Sequence, residues 1–182
     1  MKAESINYSS GQLFSLVVLR MLIGWHFLYE GIVKLWNPGW SARGYLMDSE
    51  GLFAGLFDSM AANPTVLNIV DVLNVWGLIL IGLGLLTGTL SRWAALGGMV
   101  LLGFYYLSHP PLIGTEYALP SEGSYLFVNK NLIELFALAV LFVFPTSKIF
   151  GLDRLIAKMR NQQVPDEPAA TPRRAEREKV SV

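Results

Sequence analysis

Cysteine is absent from the 182-residue chain. Its absence excludes disulfides, thiol redox chemistry, cysteine-ligated zinc and cysteine-held iron–sulfur clusters. Any redox role would need a bound organic cofactor, haem or a partner subunit. Charge is scarce as well. Asp, Glu, Lys and Arg make up 15% of the chain, against about 25% in an ordinary soluble domain. They cancel to a formal net charge of zero, so global charge selects no partner. Only two histidines occur, His26 and His109. No GxGxxG, Walker-type or nucleophile-elbow motif is present, and no basic-aromatic surface points to nucleic acid.

What the chain has instead is apolar sequence, 53% of all residues, gathered into long blocks. Such blocks are the mark of bilayer spans. The pattern predicts an all-α fold, an integral membrane bundle of four transmembrane helices. The spans fall near Leu13 to Leu35, Val66 to Leu90, Trp93 to Ser108 and Asn129 to Phe144. Asn37-Pro38-Gly39 stops the first, and Asn63-Pro64-Thr65 caps the second. The first stretch carries Arg20, His26, Glu30 and Lys34 with no small-residue cleavage site after it, so it reads as a retained helix. In the second, Gly84 and Gly88 form a GxxxG pair that would allow close helix approach. The connection from Trp40 to Pro64 carries apolar residues at helical spacing. It reads as a segment along the membrane surface or as a loop over the bundle mouth. The organisation expected is an N-terminal segment at 1–12, a membrane domain at 13–148, a short amphipathic basic helix at 149–160 and a disordered tail at 161–182.

Positive residues set orientation. Lys148, Arg154, Lys158 and Arg160 follow the last span, and Arg92 sits in the hairpin between spans two and three. The two long connections are acidic, with Asp48, Glu50, Asp58, Glu116 and Glu122. Both termini and the hairpin are therefore expected in the cytoplasm, in a multi-pass protein of the inner membrane. The lipid bilayer is the first partner.

Charges inside spans cost about 2.5–3.5 kcal/mol each on insertion scales. In the first span His26, Glu30 and Lys34 follow one another at i,i+4 and share a face. With the orientation above, Glu30 and Lys34 lie in the outer half. Asp71 and Asn74, Tyr105 and His109, and Asn131 and Glu134 reach the same level from the other spans. Two readings stand. These groups hydrogen-bond and cap the helices, or they line an outward-facing polar pocket. In the second reading Glu30, Asp71 and Glu134 handle protons, while His26, Lys34, Asn74, Tyr105, His109 and Asn131 bind substrate. A metal is not expected, because a lone His26/Glu30 pair is weak evidence for one. Arg20, nearer the inner end, is expected to snorkel or to bond a neighbouring helix's carbonyls.

The run from Leu19 to Leu35, with Arg20, Gly24, Gly31 and Lys34-Leu35, resembles the first-helix signature of the DoxX/DoxD-like membrane proteins. Asn37-Pro38, Arg43-Gly44-Tyr45-Leu46 and the glycine-rich second span also fit. The resemblance covers about residues 13–148 and implies a four-helix membrane protein. DoxD-like members include the small subunit of thiosulfate:quinone oxidoreductase, which passes electrons from thiosulfate to quinone. The resemblance thus implies a redox subunit that binds quinone or a small sulfur oxyanion. The partners expected for such a subunit are a membrane or peripheral subunit, or further copies of the chain in a homo-oligomer. The alternative is a non-enzymatic anchor or assembly subunit.

Overall fold

The computed structural model describes residues 8–112, 114, 117–119, 126–147, 149–154 and 158–159. It is built of helices: α1 (Ser10–Leu35), α2 (Arg43–Met47), α3 (Ala54–Ala62), α4 (Pro64–Thr87), α5 (Ser91–Ser108) and α6 (Lys130–Val143). The caps follow local chemistry. Ser9 and Gln12 form a capping box on α1. The Asn63 side chain accepts the Thr65 and Val66 N–H groups, with Pro64 at the first helical position of α4. Asn129 accepts the Leu132 N–H and starts α6.

Four long helices form a bundle. α1 packs chiefly on α4, α6 chiefly on α5, and α4 joins α5 through a tight turn; α1 and α6 meet only lightly. The shared core contains Ile23 and Phe27 of α1, Leu78, Ile81 and Leu85 of α4, Ala95 and Leu102 of α5, and Leu138 and Leu141 of α6. The outward faces are apolar, with Leu22, Trp25, Leu73, Trp76, Phe104 and Phe136 exposed, as a lipid solvent requires. Among the described residues two helices, α1 and α4, are long and apolar enough to cross a membrane. At about 1.5 Å per residue α5 reaches about 27 Å and α6 about 21 Å, short of a hydrocarbon core of about 30 Å. The expected four spans thus become two full-length helices and two shorter ones packed against them.

The connection after α1 is helical over Arg43–Met47 and Ala54–Ala62 and lies over the bundle mouth. Ala42, Leu46, Phe57, Ala61 and Leu67 form a second, smaller core that joins α2 and α3 to the start of α4. This cap is fastened to the bundle by polar bonds. The Ala42 N–H donates to Asp71 Oδ1 at 2.7 Å, and the Tyr45 hydroxyl donates to the Tyr105 carbonyl at 3.3 Å. The Ser108 carbonyl accepts from the Ser49 hydroxyl at 2.7 Å and from the Glu50 N–H at 3.2 Å.

The GxxxG pair makes close contacts, Gly84 with Ala94 of α5 and Gly88 with Gly151, but the close approach of α1 to α4 falls on other glycines. A Cβ on Gly82 would fall 2.5 Å from the Leu28 backbone nitrogen, and one on Gly31 would fall 2.9 Å from that of Ile79. These two glycines, with Gly24, let α1 and α4 touch backbone to backbone. Gly84 faces Ala94 across the turn instead. Gly88 ends α4 in the left-handed region, φ 69°, against Gly151 and Arg20.

At the other end of the bundle from the cap, Arg20 is 2% exposed. Its guanidinium donates to Thr146 Oγ1 at 3.0 Å and to the Phe150 carbonyl at 2.8 Å. The expected carbonyl partner exists, but in the segment that follows α6 rather than in a neighbouring helix. Asp153 completes the closure. Its carboxylate accepts the Leu90 N–H at 3.0 Å, and its own N–H donates to the Gly88 carbonyl at 3.3 Å. Of the expected basic helix, residues 152–154 and 158–159 are helical. The expected disordered tail at 161–182 lies outside the described residues.

Candidate functional site

Between the bundle core and the cap core lies a cavity of about 450 Å³. α1 supplies one wall, because its i,i+4 stripe brings His26, Glu30 and Lys34 to one face beside Phe27. Asn74 and Leu78 of α4, Leu102 and Tyr105 of α5, and Lys130 and Asn131 of α6 supply the others. The roof is the cap: Trp40, Ser41, Ala42, Gly44 and Tyr45, with Leu119. All four long helices therefore bring polar groups to one chamber whose remaining surface is aromatic and aliphatic.

Its polar groups form two poles. At the first, Lys34 Nζ donates to Asn74 Oδ1 at 3.2 Å and lies 3.8 Å from Glu30 Oε2. The ammonium sits over the Trp40 and Tyr105 rings, at 5.2 and 5.7 Å from their centroids. Asn74 Nδ2 donates to the Tyr105 hydroxyl at 2.6 Å, which leaves that hydroxyl its own proton to give. An ammonium has three donors, so Lys34 keeps donor capacity toward the chamber. At the second pole, His26 Nδ1 meets Glu134 Oε1 at 2.8 Å. This bond joins α1 to α6. The His26 side chain is 45% exposed and that of Glu134 14%.

The expected site residues divide accordingly. His26, Glu30, Lys34, Asn74, Tyr105 and Asn131 line the chamber. Three do not, which corrects the expectation of one cavity shared by all the acids. Asp71 is spent on the Ala42 N–H and orients the roof. Glu134 stands behind His26 as its partner. His109 belongs to the cap, stacked on Tyr45 with ring centroids 3.9 Å apart and 3.5 Å from Asp48 Oδ2. The reason is common to all three. A depth along a helix does not specify an azimuth, and each side chain took the nearest unsatisfied partner.

The cap carries its own electrostatics. Asp48 accepts the Ala118 and Leu119 N–H groups at 2.8 and 3.0 Å and so holds Leu119 over the chamber. Burial pushes the Asp48 carboxyl up, but these two bonds and His109 outweigh it and bring it below its usual value. Burial lowers the basicity of His109, only partly offset by Asp48. Burial, followed by the neighbouring Tyr105, Tyr117 and Asp48, drives the Tyr45 hydroxyl well above its usual range. Tyr45 therefore acts in the roof as a neutral hydrogen-bonding group.

Trp40, Tyr45 and Leu119 were not among the expected binding residues. A faint signal existed for the first two: aromatics at helical spacing, and Tyr45 within Arg43-Gly44-Tyr45-Leu46. Nothing local marks Leu119. Among the described residues no group of three or more His, Cys, Asp or Glu side chains could hold a metal ion.

No curated protein and no solved structure matches the chain. The DoxX family model matches residues 15–109, just over half of the chain and the stretch that holds α1, the cap, α4 and α5; the chain belongs to the DoxX family of membrane proteins.

Proposed function

We propose that this protein is the membrane subunit of a quinone-linked redox system and that the roofed chamber binds the quinone ring. The observation that supports the reading is the pairing of a mostly apolar, aromatic-rich chamber with two separate hydrogen-bonding poles. A quinone is a flat apolar ring with a carbonyl oxygen at each end. Lys34 and the Tyr105 hydroxyl can donate to one oxygen. His26, backed by Glu134, can donate to the other and exchange a proton with it. Trp40, Tyr45 and Tyr105 supply an aromatic wall beside the ring, and Phe27, Leu78 and Leu102 keep water from it. Reduction needs two electrons and two protons. This chain's part is to bind, orient and handle protons; the electrons come from a partner subunit that oxidises a donor such as a sulfur oxyanion. In this reading both termini and the α4–α5 turn face the cytoplasm, and the cap faces the opposite side of the inner membrane.

Native mass spectrometry of the protein in quinone-free nanodiscs, titrated with ubiquinone, tests the reading. Wild type is expected to retain one ubiquinone. Lys34→Met is expected to weaken retention at least about tenfold, the scale of one hydrogen bond from a charged donor. Trp25→Phe, on the lipid face, should leave it unchanged. Absence of retention by wild type contradicts the reading and favours the anchor or assembly role.

A further inference from the structure

The chamber is roofed, which raises the question of how anything enters it. The cap is fastened on the α4 and α5 sides, through Asp71, the Tyr105 carbonyl and the Ser108 carbonyl. Asp48 holds Leu119 across the top. The remaining side is the seam between α1 and α6, the pair of neighbouring long helices that meets only lightly. Two chamber-lining side chains of α1, His26 and Glu30, are also 45% and 47% exposed. The roof residues Ser41, Gly44 and Leu119 are exposed as well, so the chamber also opens beside the cap; the seam is the opening that faces lipid. A polar bond spans this seam: His26 Nδ1 to Glu134 Oε1, 2.8 Å.

We infer that the α1–α6 seam is a lateral portal from the bilayer into the chamber, latched by the His26–Glu134 bond, and that it admits a long-tailed, lipid-dissolved ligand rather than a water-borne anion. The inference rests on the quinone reading and refines it. The ring passes between the helices while the isoprenoid tail stays in the seam, against exposed apolar surface such as Ile133 of α6. A small sulfur oxyanion gains nothing from such a route, since it would have to cross lipid to reach it. The latch is suited to opening. It joins two helices that share little other contact, so the seam can part locally at His26 while the shared Ile23, Phe27 and Leu138 core and the Arg20 bonds to Thr146 and Phe150 hold the helices together nearer the inner end.

The absence of cysteine provides the test. In the His26→Cys/Glu134→Cys double variant the two introduced thiols are the only ones in the chain. They can be joined by a short bis-methanethiosulfonate linker and released by reductant. Loading of ubiquinone with a ten-isoprenoid tail into nanodisc-held protein is followed by stopped-flow quenching of tryptophan fluorescence in a background whose exposed Trp25, Trp36, Trp76 and Trp93 are replaced by Phe, so that Trp40 in the chamber wall is the reporter. The linked form is expected to load at least about tenfold more slowly than the same protein after reduction. Equal rates overturn the portal. Glu134→Ala, which breaks the latch without a linker, is expected to load and release about tenfold faster than wild type, the scale of one lost charge-assisted hydrogen bond. An unchanged rate there overturns the latch, and this arm decides if the double variant fails to fold. Failure of wild type itself to load ubiquinone overturns the quinone reading and the portal with it. Loading by wild type at a rate that the linker leaves untouched overturns the portal alone.

Discussion

Gly82→Val is expected to abolish the folded protein, leaving aggregate in place of a monodisperse peak when the membrane extract is run on a sizing column. The added Cβ would stand 2.5 Å from the Leu28 nitrogen and 2.7 Å from its Cα. Both are backbone atoms, so no rotamer change relieves the clash; α1 and α4 must move apart. Their contact is the most extensive in the bundle. Overpacking where side chains can yield costs about 1–3 kcal/mol. Here the obstacle is another helix's main chain, and the expected loss exceeds that range. Gly31→Val, 2.9 Å from the Ile79 nitrogen and 2.7 Å from its side chain, should behave alike. Gly77→Val is the control: a Cβ there meets nothing within 4 Å although Gly77 lies in the same helix. If Gly82→Val is as stable as Gly77→Val, the account of the α1–α4 contact is wrong.

Arg20→Met carries the second large effect. The guanidinium is buried with two hydrogen-bond partners, Thr146 Oγ1 and the Phe150 carbonyl. Methionine fills much of the volume without leaving a charge behind. It still removes both charge-assisted bonds and strands a carbonyl. A loss of about 3 kcal/mol is expected, or a melting midpoint about 6–12 °C lower for a domain of this size. The segment from Thr146 to Asp153 should then cleave readily under limited proteolysis, because Arg20 is its main tie to α1. Arg20→Lys keeps the charge but replaces the two-point fork with a single ammonium, and should fall between the two. Unchanged proteolysis in Arg20→Met would show that Asp153 and its bonds to Gly88 and Leu90 hold the segment unaided.

These two positions show where sequence reading succeeds and where it stops. The long helices and their caps at Asn63 and Asn129 were legible, since apolar periodicity and capping chemistry are local. The glycine-rich character of α4 was legible too, but the contact it serves was not. GxxxG spacing places Gly84 and Gly88 on one face without stating which neighbour stands there. The structure puts Ala94 against Gly84 and makes Gly88 a helix terminus, while Gly82, outside that pair, meets α1. The α1 stripe of His26, Glu30 and Lys34 was visible as successive i,i+4 steps and became a chamber wall. The Glu30–Lys34 pair one turn apart was visible and is present at 3.8 Å; the partners on other helices were not. His26 bonds to Glu134, 108 residues away, rather than to Glu30 one turn on, and Lys34 divides itself between Glu30 and Asn74. Such choices depend on helix azimuth and on competition for partners across the bundle, which spacing along one chain does not encode. The roof was missed for a related reason. Trp40 and Tyr45 matter because the cap core folds them over the bundle mouth, and that core forms only when α2 and α3 meet the start of α4.

The central claim is that the chamber between the two cores holds a quinone ring. Photolabelling tests it most directly. An azido-quinone is added to the protein in nanodiscs and irradiated, and the modified peptides are mapped by mass spectrometry with and without excess ubiquinone. The account predicts label on the peptides that carry Trp40 to Tyr45, Asn74 to Leu78 and Tyr105, suppressed by the competitor. Label that spreads over the lipid-facing Trp25, Trp36 and Trp76 and ignores the competitor would contradict it.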